Sequence, residues 1–237
     1  MKDNITAFMY RFVPPSASIN YKAKINYEKV GALIEKLSDK PIILNIGSGR
    51  TPNSNTNRYF RGKYENSMIN IDIDSTFPNI TVLADGHKLP FRDASLNAVI
   101  IDAVLEHVSN PKEVVNEIYR VLKYNGIVYA EIPFLQGFHA DPYDYQRFTY
   151  VGIRRLFYQF KEIDSGICVG PSSAVSWILR EYLAMVFSFN NFTLYRCSKM
   201  FFGWLTFWIK YLDIILIKYE YAKIISMGFY LMGRKVN

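Results

Sequence analysis

Short apolar runs that end at a glycine or an aspartate recur along the first two-thirds of the chain, and they constrain the fold more than any other feature. A helical pattern follows Pro111, between the last two runs. Strands that alternate with helices predict a parallel sheet covered on both faces, which is the Rossmann-like three-layer sandwich of the α/β class. The runs lie at 42–46, 67–73, 81–84, 98–101 and 126–132.

Residue composition and hydrophobic pattern divide the chain into three segments. Residues 1–40 hold a Pro-Pro turn and one helical pattern, and we interpret them as an N-terminal lid or edge segment. Residues 41–170 and 228–237 form the predicted sheet domain, with seven mostly parallel strands and an antiparallel last strand. Residues 171–227, rich in Phe, Tyr, Trp and Leu, are predicted to be a helical insertion before that strand.

Charge and cysteine content limit the partners and the cellular compartment that we expect for the protein. The 237 residues include 28 Lys and Arg against 21 Asp and Glu, a net charge of +7 that suits an anionic partner without identifying it. The two cysteines cannot form a disulfide framework, and the first residues lack a secretion-signal pattern, so we expect a cytoplasmic protein. The longest uncharged stretch of the aromatic segment, 182–195, is too short to cross a bilayer.

Open parallel sheets bind ligands beyond the carboxyl ends of their strands, so the residues at those ends are the candidates for function. The first strand ends in a Gly-Ser-Gly turn, where the main chain can approach a ligand closely. An aspartate about 25 residues later is placed to accept the hydroxyls of a ribose. The candidate ligand-binding residues are Asn45, Gly47, Gly49, Asp72, Asp85, Gly86 and Asp102.

As an ordered set, these residues resemble the class I methyltransferases that depend on S-adenosylmethionine (SAM), especially the type-11 branch that acts on small molecules and glycans. The resemblance covers about residues 40–165 and the final strand. It implies SAM as cofactor and S-adenosylhomocysteine (SAH) as product. It also implies that the glycine turn holds the methionine part of SAM, that Asp72 binds the ribose and that Asp85 contacts the adenine.

The sequence departs from the family pattern in three places. Asn45 stands where the family usually has an acidic residue, and Thr51 stands where it usually has a third glycine. Residues 50–65, where the family has its first helix, are rich in Asn, Pro and Gly and lack an apolar face. We expect a loop or a shortened helix there.

The loop after the fifth strand, residues 132–149, is the candidate acceptor site because it gathers polar and aromatic side chains. A hydroxyl acceptor must lose its proton during methylation, and imidazole titrates near neutrality. We therefore predict His139 as general base, with Asp141 or Asp144 as its orienting partner and His107 as the second candidate. The alternative for Asp144 is a structural ion pair with Arg147. No spacing demands a metal.

Polar or small residues recur with a 4-3-4-3 spacing within 199–219 and make one narrow stripe on an otherwise apolar helix. Such a helix either packs inside the domain, is buried in a homodimer, or lies on a membrane surface. The last case would place the protein peripherally at the inner face of a membrane. The residues of the stripe are Lys199, Gly203, Thr206, Lys210 and Asp213.

The sequence thus predicts a SAM-dependent methyltransferase, with O-methylation of a sugar or another small hydroxylated acceptor as the leading hypothesis. A lipid-linked glycan is included among these acceptors. The alternatives are a nucleic-acid methyltransferase, disfavoured because the basic residues are dispersed, and a non-catalytic module that only binds SAM or serves as a scaffold.

Overall fold

The computed structural model describes residues 13–49, 55–60, 62–64, 66–77, 80–139 and 143–236, with the backbone alone for residue 57. The strands are β1 Ile43–Ile46, β2 Met68–Asp72, β3 Val82–Leu83, β4 Leu96–Asp102, β5 Leu122–Pro133, β6 Phe160–Val169 and β7 Gly228–Lys235. The α-helices are α1 Ala23–Glu35, α2 Asn55–Phe60, α3 Pro111–Val121, α4 Tyr150–Leu156, α5 Pro171–Val186, α6 Phe192–Thr206 and α7 Asp213–Leu216, and two 3-10 helices span Phe207–Leu212 and Glu220–Ile224.

The seven strands form one sheet in the order β3-β2-β1-β4-β5-β7-β6. Strands β1 to β5 pair in parallel, whereas β7 runs antiparallel to β5 and lies between β5 and β6. The fold class predicted from the sequence is therefore confirmed, including the antiparallel last strand. Because β1 and β4 are central, their carboxyl ends lie side by side at one edge of the sheet.

Strand β1 and almost all of β4 are buried, as fully apolar runs predict. Helix α3 begins where expected: Pro111 occupies its first turn and the Asn110 side chain accepts a hydrogen bond from the backbone N–H of Glu113. The helix ends at Val121 and β5 begins at once, four residues before the run predicted to start at Gly126. Asn125, in the left-handed region with a φ of 64°, forms an irregularity inside β5.

The described residues form two compact units. The sheet unit comprises 22–134, 138–168 and 228–236, and the helical unit comprises 13–21, 135–137 and 169–227. Helix α1 belongs to the sheet unit, so the N-terminal boundary lies between residues 21 and 22 rather than at residue 40. The reason is that α1 buries an apolar face of the kind that a sheet-covering helix presents. Among the described residues, no helix combines the length and apolar character needed to cross a membrane.

Among its described residues, the segment that departs from the family pattern contains one helix, the six-residue α2. After this helix, Lys63 forms an ion pair with Glu35 of α1 at 2.5 Å. Tyr64 is buried and its hydroxyl donates to the carbonyl of Gly31. This part of the segment is therefore fastened to α1. The expectation of a shortened helix is met over 55–60, and residues 50–54 lie outside the described part of the chain.

Candidate active site

The glycine turn follows β1 directly, and both of its glycines need a conformation that other residues rarely adopt. Gly47 has a φ of 69° and Gly49 a φ of 62°. The backbone N–H of Gly49 donates to Oδ2 of Asp72 at 2.9 Å, which ties the turn to the end of β2. The other Asp72 oxygen accepts from the backbone N–H of Asp74 at 3.1 Å. Asp72 therefore holds the glycine turn in place at the edge of the sheet.

The glycine turn also packs against the loop that follows β4. A Cβ on Gly47 would lie 2.2 Å from Cγ2 of Val104, so only glycine allows the two loops to approach this closely. In contrast, a Cβ on Gly49 would meet, among the described residues, nothing nearer than a backbone oxygen at 3.8 Å. The candidate cofactor turn and the loop after β4 are thus in direct contact.

Gly47→Ala should destabilise the sheet unit through both left-handed strain and overlap with Val104, by about 2–4 kcal/mol in total. Chemical denaturation measures the change in the free energy of unfolding. Gly62→Ala is the matched control, since Gly62 has a φ of 90° but no described atom lies within 4 Å of the position that a Cβ would occupy there. Its cost should be about 1–2 kcal/mol, from backbone strain alone. Equal costs at both positions would contradict the packing contact.

Asn45 lies inside the sheet and is only 3% exposed. Its side-chain amide donates to Oδ1 of Asn70 on β2 at 2.9 Å, and the two residues are Cα partners in the strand register. The donor group of Asn45 is therefore committed to a neighbouring strand. Its assignment to the cofactor stays a prediction, which rests on its remaining amide oxygen.

Asp85 follows β3 and begins a tight turn. Its Oδ1 accepts from the backbone N–H of His87 at 2.9 Å and lies 2.7 Å from Nδ1 of the His87 ring. The side chain of Asp85 is 60% exposed, so its second oxygen faces outward. A Cβ on the next residue, Gly86, would make ordinary contacts with Val114 and Ile46. The sequence analysis did not identify His87 as a partner of Asp85. The spacing of two residues between the aspartate and the histidine is the local pattern that could have indicated this contact.

Asp102 ends β4 beside a tyrosine from helix α1. The Tyr27 hydroxyl donates to Oδ2 of Asp102 at 3.4 Å and lies 2.8 Å from the hydroxyl of Thr56. Burial raises the pKa of Asp102 to about 6. The contributions of Tyr27 and Thr56 were not foreseen from the sequence, because they come from elements remote from the strand ends.

Three features of this edge fit a sulfonium nucleoside. The hydroxyl oxygen of Ser48 is buried in the glycine turn with no hydrogen-bond partner among the described residues. Among the described residues, only a backbone oxygen lies within 4 Å of a Cβ on Gly49, and the partly exposed Asp72 carboxylate accepts from the N–H of this glycine. A buried polar atom without a partner indicates a place where a ligand supplies the missing bond. The residues that would hold SAM are therefore Gly47, Ser48, Gly49 and Asp72.

The loop after β4 turns sharply at its first residue. Ala103 has a φ of 53°, which is the left-handed conformation that is unfavourable for a residue with a Cβ, and its N–H donates to the carbonyl of Glu131 at 3.0 Å. Within the same loop, Leu105 and Glu106 are fully buried. The turn thus carries an acidic side chain into the interior, a few residues from the contact with the glycine turn.

Glu106 and His107, from the loop after β4, come together with His139 of the acceptor loop. Oε1 of Glu106 lies 3.7 Å from Nε2 of His107 and 4.0 Å from Nε2 of His139, and the imidazole rings meet edge to face with centroids 5.1 Å apart. Neither carboxyl oxygen of Glu106 has a hydrogen-bond partner among the described residues. The structure therefore joins the two predicted histidines and adds a carboxyl group that sequence reasoning overlooked.

The hydrogen bonds of the two imidazoles define their tautomers. Nδ1 of His107 contacts the carbonyl oxygen of Tyr143, which only accepts, so the ring proton of His107 is on Nδ1 and the lone pair of Nε2 faces Glu106. Nδ1 of His139 lies 3.4 Å from NH2 of Arg147, which only donates, so that nitrogen accepts. His107 thus presents a lone pair to the cluster, whereas His139 presents its Nε2 proton.

Asp144 anchors the acceptor loop. Its carboxylate takes two hydrogen bonds from the Arg147 guanidinium and a third, at 2.9 Å, from the backbone N–H of His139. The Arg147 guanidinium holds the pKa of Asp144 well below its ordinary value. The ion pair with Arg147 is the alternative role that the sequence analysis gives for Asp144. One carboxylate oxygen of Asp144 also lies 3.7 Å from Nδ1 of His139. Asp141, the other predicted partner, lies outside the described residues.

One carboxylate oxygen and two ring nitrogens of this cluster lie within 4.8 Å of one another, so Glu106, His107 and His139 could hold a metal ion. Imidazole and carboxylate ligands suit several metals. The sequence prediction of a site without metal stays a prediction, to be decided by chelation.

Burial, with a contribution from the nearby Asp102 carboxylate, raises the pKa of Glu106 from 4.5 to about 8. Between these values the folded protein keeps a proton that the unfolded chain has lost, so the free energy of unfolding should fall as the pH rises through this window. Glu106→Gln cannot ionise and should abolish that slope. We expect the variant and wild type to melt alike near pH 5 and the variant to melt higher above pH 8. Parallel melting profiles would contradict the raised pKa.

Comparison with known proteins relates part of the chain to methyltransferases. Residues 44–130 match the Methyltransf_11 family model, described as a methyltransferase domain. An uncharacterized protein of Methanocaldococcus jannaschii is 31% identical over 86 residues, which cover 33% of this chain. The match spans only 42% of the length of that curated relative.

Solved structures share the fold at low sequence identity. One is described as a putative sarcosine dimethylglycine methyltransferase from Galdieria sulphuraria, with a TM-score of 0.55, 14% identity, and coverage of 89% of this chain and 85% of that one. Another is the 1,6-didemethyltoxoflavin-N1-methyltransferase of Burkholderia thailandensis with bound SAH, with a TM-score of 0.52, 12% identity, and coverage of 92% and 80%.

The order of the sheet and the likeness to these solved structures define a Rossmann-like α/β fold. Within it, residues 44–130 are a SAM-dependent methyltransferase domain, and SAM is the cofactor of that domain, as the sequence analysis predicts.

Proposed function

We propose that the protein is an enzyme that transfers the methyl group of SAM to a hydroxyl of a small acceptor, with a sugar or a lipid-linked glycan as the favoured class. The observation that carries this proposal is the contact between the glycine turn and the loop that bears Glu106 and His107. Because Gly47 touches Val104, a methyl donor in the turn and a proton acceptor in the next loop would be neighbours.

The acceptor hydroxyl must lose its proton as its oxygen bonds to the methyl carbon. SAM supplies an electrophilic methyl group on a sulfonium, whose carbon–sulfur bond electrons return to sulfur. We assign the proton to Nε2 of His107, because the Tyr143 carbonyl fixes its ring proton on Nδ1 and leaves this lone pair directed into the cluster. The resulting imidazolium faces Glu106, whose carboxylate form would stabilise it. Asp144 and Arg147 hold the loop that carries His139.

The direct test has two stages. Calorimetry with SAM and SAH establishes whether the pure, folded protein binds the cofactor. Transfer of labelled methyl groups to extracted sugars, glycans and lipid-linked intermediates then identifies the acceptor. We expect binding of both nucleosides and transfer that survives dialysis against EDTA. No binding at millimolar SAM would favour the scaffold alternative, and loss of activity with EDTA that is restored by a divalent cation would assign the cluster to a metal.

Nucleic acid remains the alternative acceptor because of the net charge of +7. Its signature is an affinity for RNA or DNA that falls steeply with salt concentration, since bound phosphates release counterions. Weak binding that does not depend on salt would leave the small hydroxylated acceptor as the better assignment.

A further inference from the structure

The last part of the helical unit places polar residues inside and large apolar residues outside. On the narrow stripe identified in the sequence, Thr206 is 3% exposed and Asp213 is 0% exposed. The large side chains on the other faces point outward, with Phe201 at 62%, Trp208 at 55% and Ile215 at 56%. This arrangement is the reverse of a helix that packs its apolar face into a core.

Helix α5 has the same reversed pattern. Ser173 and Ser176 are completely buried, whereas Ile178, Tyr182 and Met185 are each about half exposed. A solvent-exposed apolar surface that extends over several helices is uncommon in monomeric soluble proteins. The pattern is therefore a property of the whole helical unit and not of one helix.

Polar groups provide the internal contacts of this unit. The Asp213 carboxylate accepts from the backbone N–H groups of Ser172 at 2.7 Å and Ser173 at 2.9 Å, at the first turn of α5. The hydroxyl of Ser176 donates to the carbonyl of Thr206 at 2.9 Å. Small residues and interhelical hydrogen bonds inside, with apolar side chains outside, characterise helices that pack in a lipid environment.

We propose that the outward apolar face of the helical unit, residues 175–225, binds the surface of a bilayer that contains anionic lipids. The exposed tryptophans and tyrosines suit the polar–apolar boundary of a membrane. The charge of this face suits a negatively charged membrane surface, because two of its acidic residues are not available to repel the lipids. Asp213 is buried, and Glu181 is paired with Arg180 and Lys199. The exposed charged residues of this segment are Arg196, Lys218, Glu220 and Lys223, three basic and one acidic.

The dimensions favour a position in the interface over a transmembrane one. Helix α5 has 16 residues, which makes it about 24 Å long, shorter than the ~30 Å hydrocarbon core. A second copy of the chain is the competing occupant, but the exposed large apolar residues are spread over the whole stretch from Val175 to Ile225 and belong to several helices. A fluid lipid phase can cover such a surface without shape complementarity.

Vesicle flotation tests the proposal with the full chain. All three tryptophans of the protein, Trp177, Trp204 and Trp208, lie in the helical unit, so tryptophan emission excited at wavelengths that tyrosine does not absorb reports on this unit alone. We expect co-flotation with phosphatidylcholine vesicles that contain about one-third phosphatidylglycerol, a blue shift of tryptophan emission, and quenching by brominated lipid chains. Binding should weaken with salt and with removal of the anionic lipid.

Two sets of variants separate the apolar and charged contributions. Leu205→Ser combined with Ile215→Ser should abolish flotation, because both side chains are more than half exposed and contribute to the apolar face. Val151→Ser, whose side chain is 69% exposed on helix α4 of the sheet unit, is the control that should bind normally. Lys218→Gln with Lys223→Gln should weaken binding to anionic vesicles about 25-fold.

Circular dichroism shows whether each variant is folded, so that loss of flotation reports on the surface. A folded wild-type protein that fails to float with anionic vesicles at low salt would overturn the proposal. Sedimentation that reveals a dimer, dissociated by the Leu205 and Ile215 substitutions, would overturn it in favour of a second copy. Neither result would affect the proposed methyl transfer, whose test is SAM binding.

Discussion

His107→Asn should lower the turnover of methyl transfer about 100-fold while the affinity for SAM stays within about twofold. The asparagine amide can still donate to the Tyr143 carbonyl, as Nδ1 of His107 does, so the loop keeps its anchor. What the variant lacks is the Nε2 lone pair beside Glu106. Single-turnover rates and calorimetric SAM affinities, measured on the same preparations, give the two quantities.

His139→Asn is the matched comparison, because this residue lies in the same cluster but accepts a hydrogen bond from Arg147 through Nδ1. We expect a decrease in turnover of less than about tenfold. The reverse order, with the larger loss in the His139 variant, would restore His139 as the base, as the sequence analysis predicts. Equal small losses would remove both imidazoles from the proton transfer.

Asp72→Ala should raise the dissociation constant of SAM by about tenfold to 150-fold, the loss of about 1.5–3 kcal/mol expected for hydrogen bonds to a charged group. Two effects combine here. The ribose loses its proposed acceptor, and the glycine turn loses the carboxylate that accepts from the N–H of Gly49. Isothermal titration with SAM and SAH measures the change.

Asp93→Ala is the matched control for this substitution. It removes the same charge from the sheet unit, but Asp93 precedes β4, pairs with Arg120 and is 78% exposed. Its dissociation constant for SAM should be that of the wild type. If Asp72→Ala bound SAM equally well, the assignment of this edge to the ribose would fail, although the fold would stand.

The sheet and its ligand-binding edge were accessible from the sequence because their signals are local. Buried strands such as β1 and β4 are continuous apolar runs, and a glycine turn or an aspartate ends each of them. The cap of helix α4 is also local, because the Thr149 hydroxyl accepts a hydrogen bond from the backbone N–H of Gly152, three residues along the chain. The family resemblance depended on the same strand ends.

The proton-transfer cluster was only partly accessible. The two histidines are 32 positions apart in the chain, and no local pattern shows that their rings are in contact. Glu106 stands beside an apolar leucine, and nothing local reveals that both its oxygens are buried. The preference for His107 over His139 depends on hydrogen bonds to Tyr143 and Arg147, which the folded loop creates.

The sequence by itself determined the class of fold, the position of the glycine turn and the aspartate that ends the second strand, because short-range periodicity and strand ends encode them. It also identified the polar stripe within 199–219 but left its environment open. Only the tertiary structure decided that the part of this stripe from Gly203 to Asp213 faces inward, since the burial of Asp213 depends on backbone donors of α5 about 40 residues away. Long-range hydrogen bonds, and not local pattern, determine which face of a helix meets the surroundings.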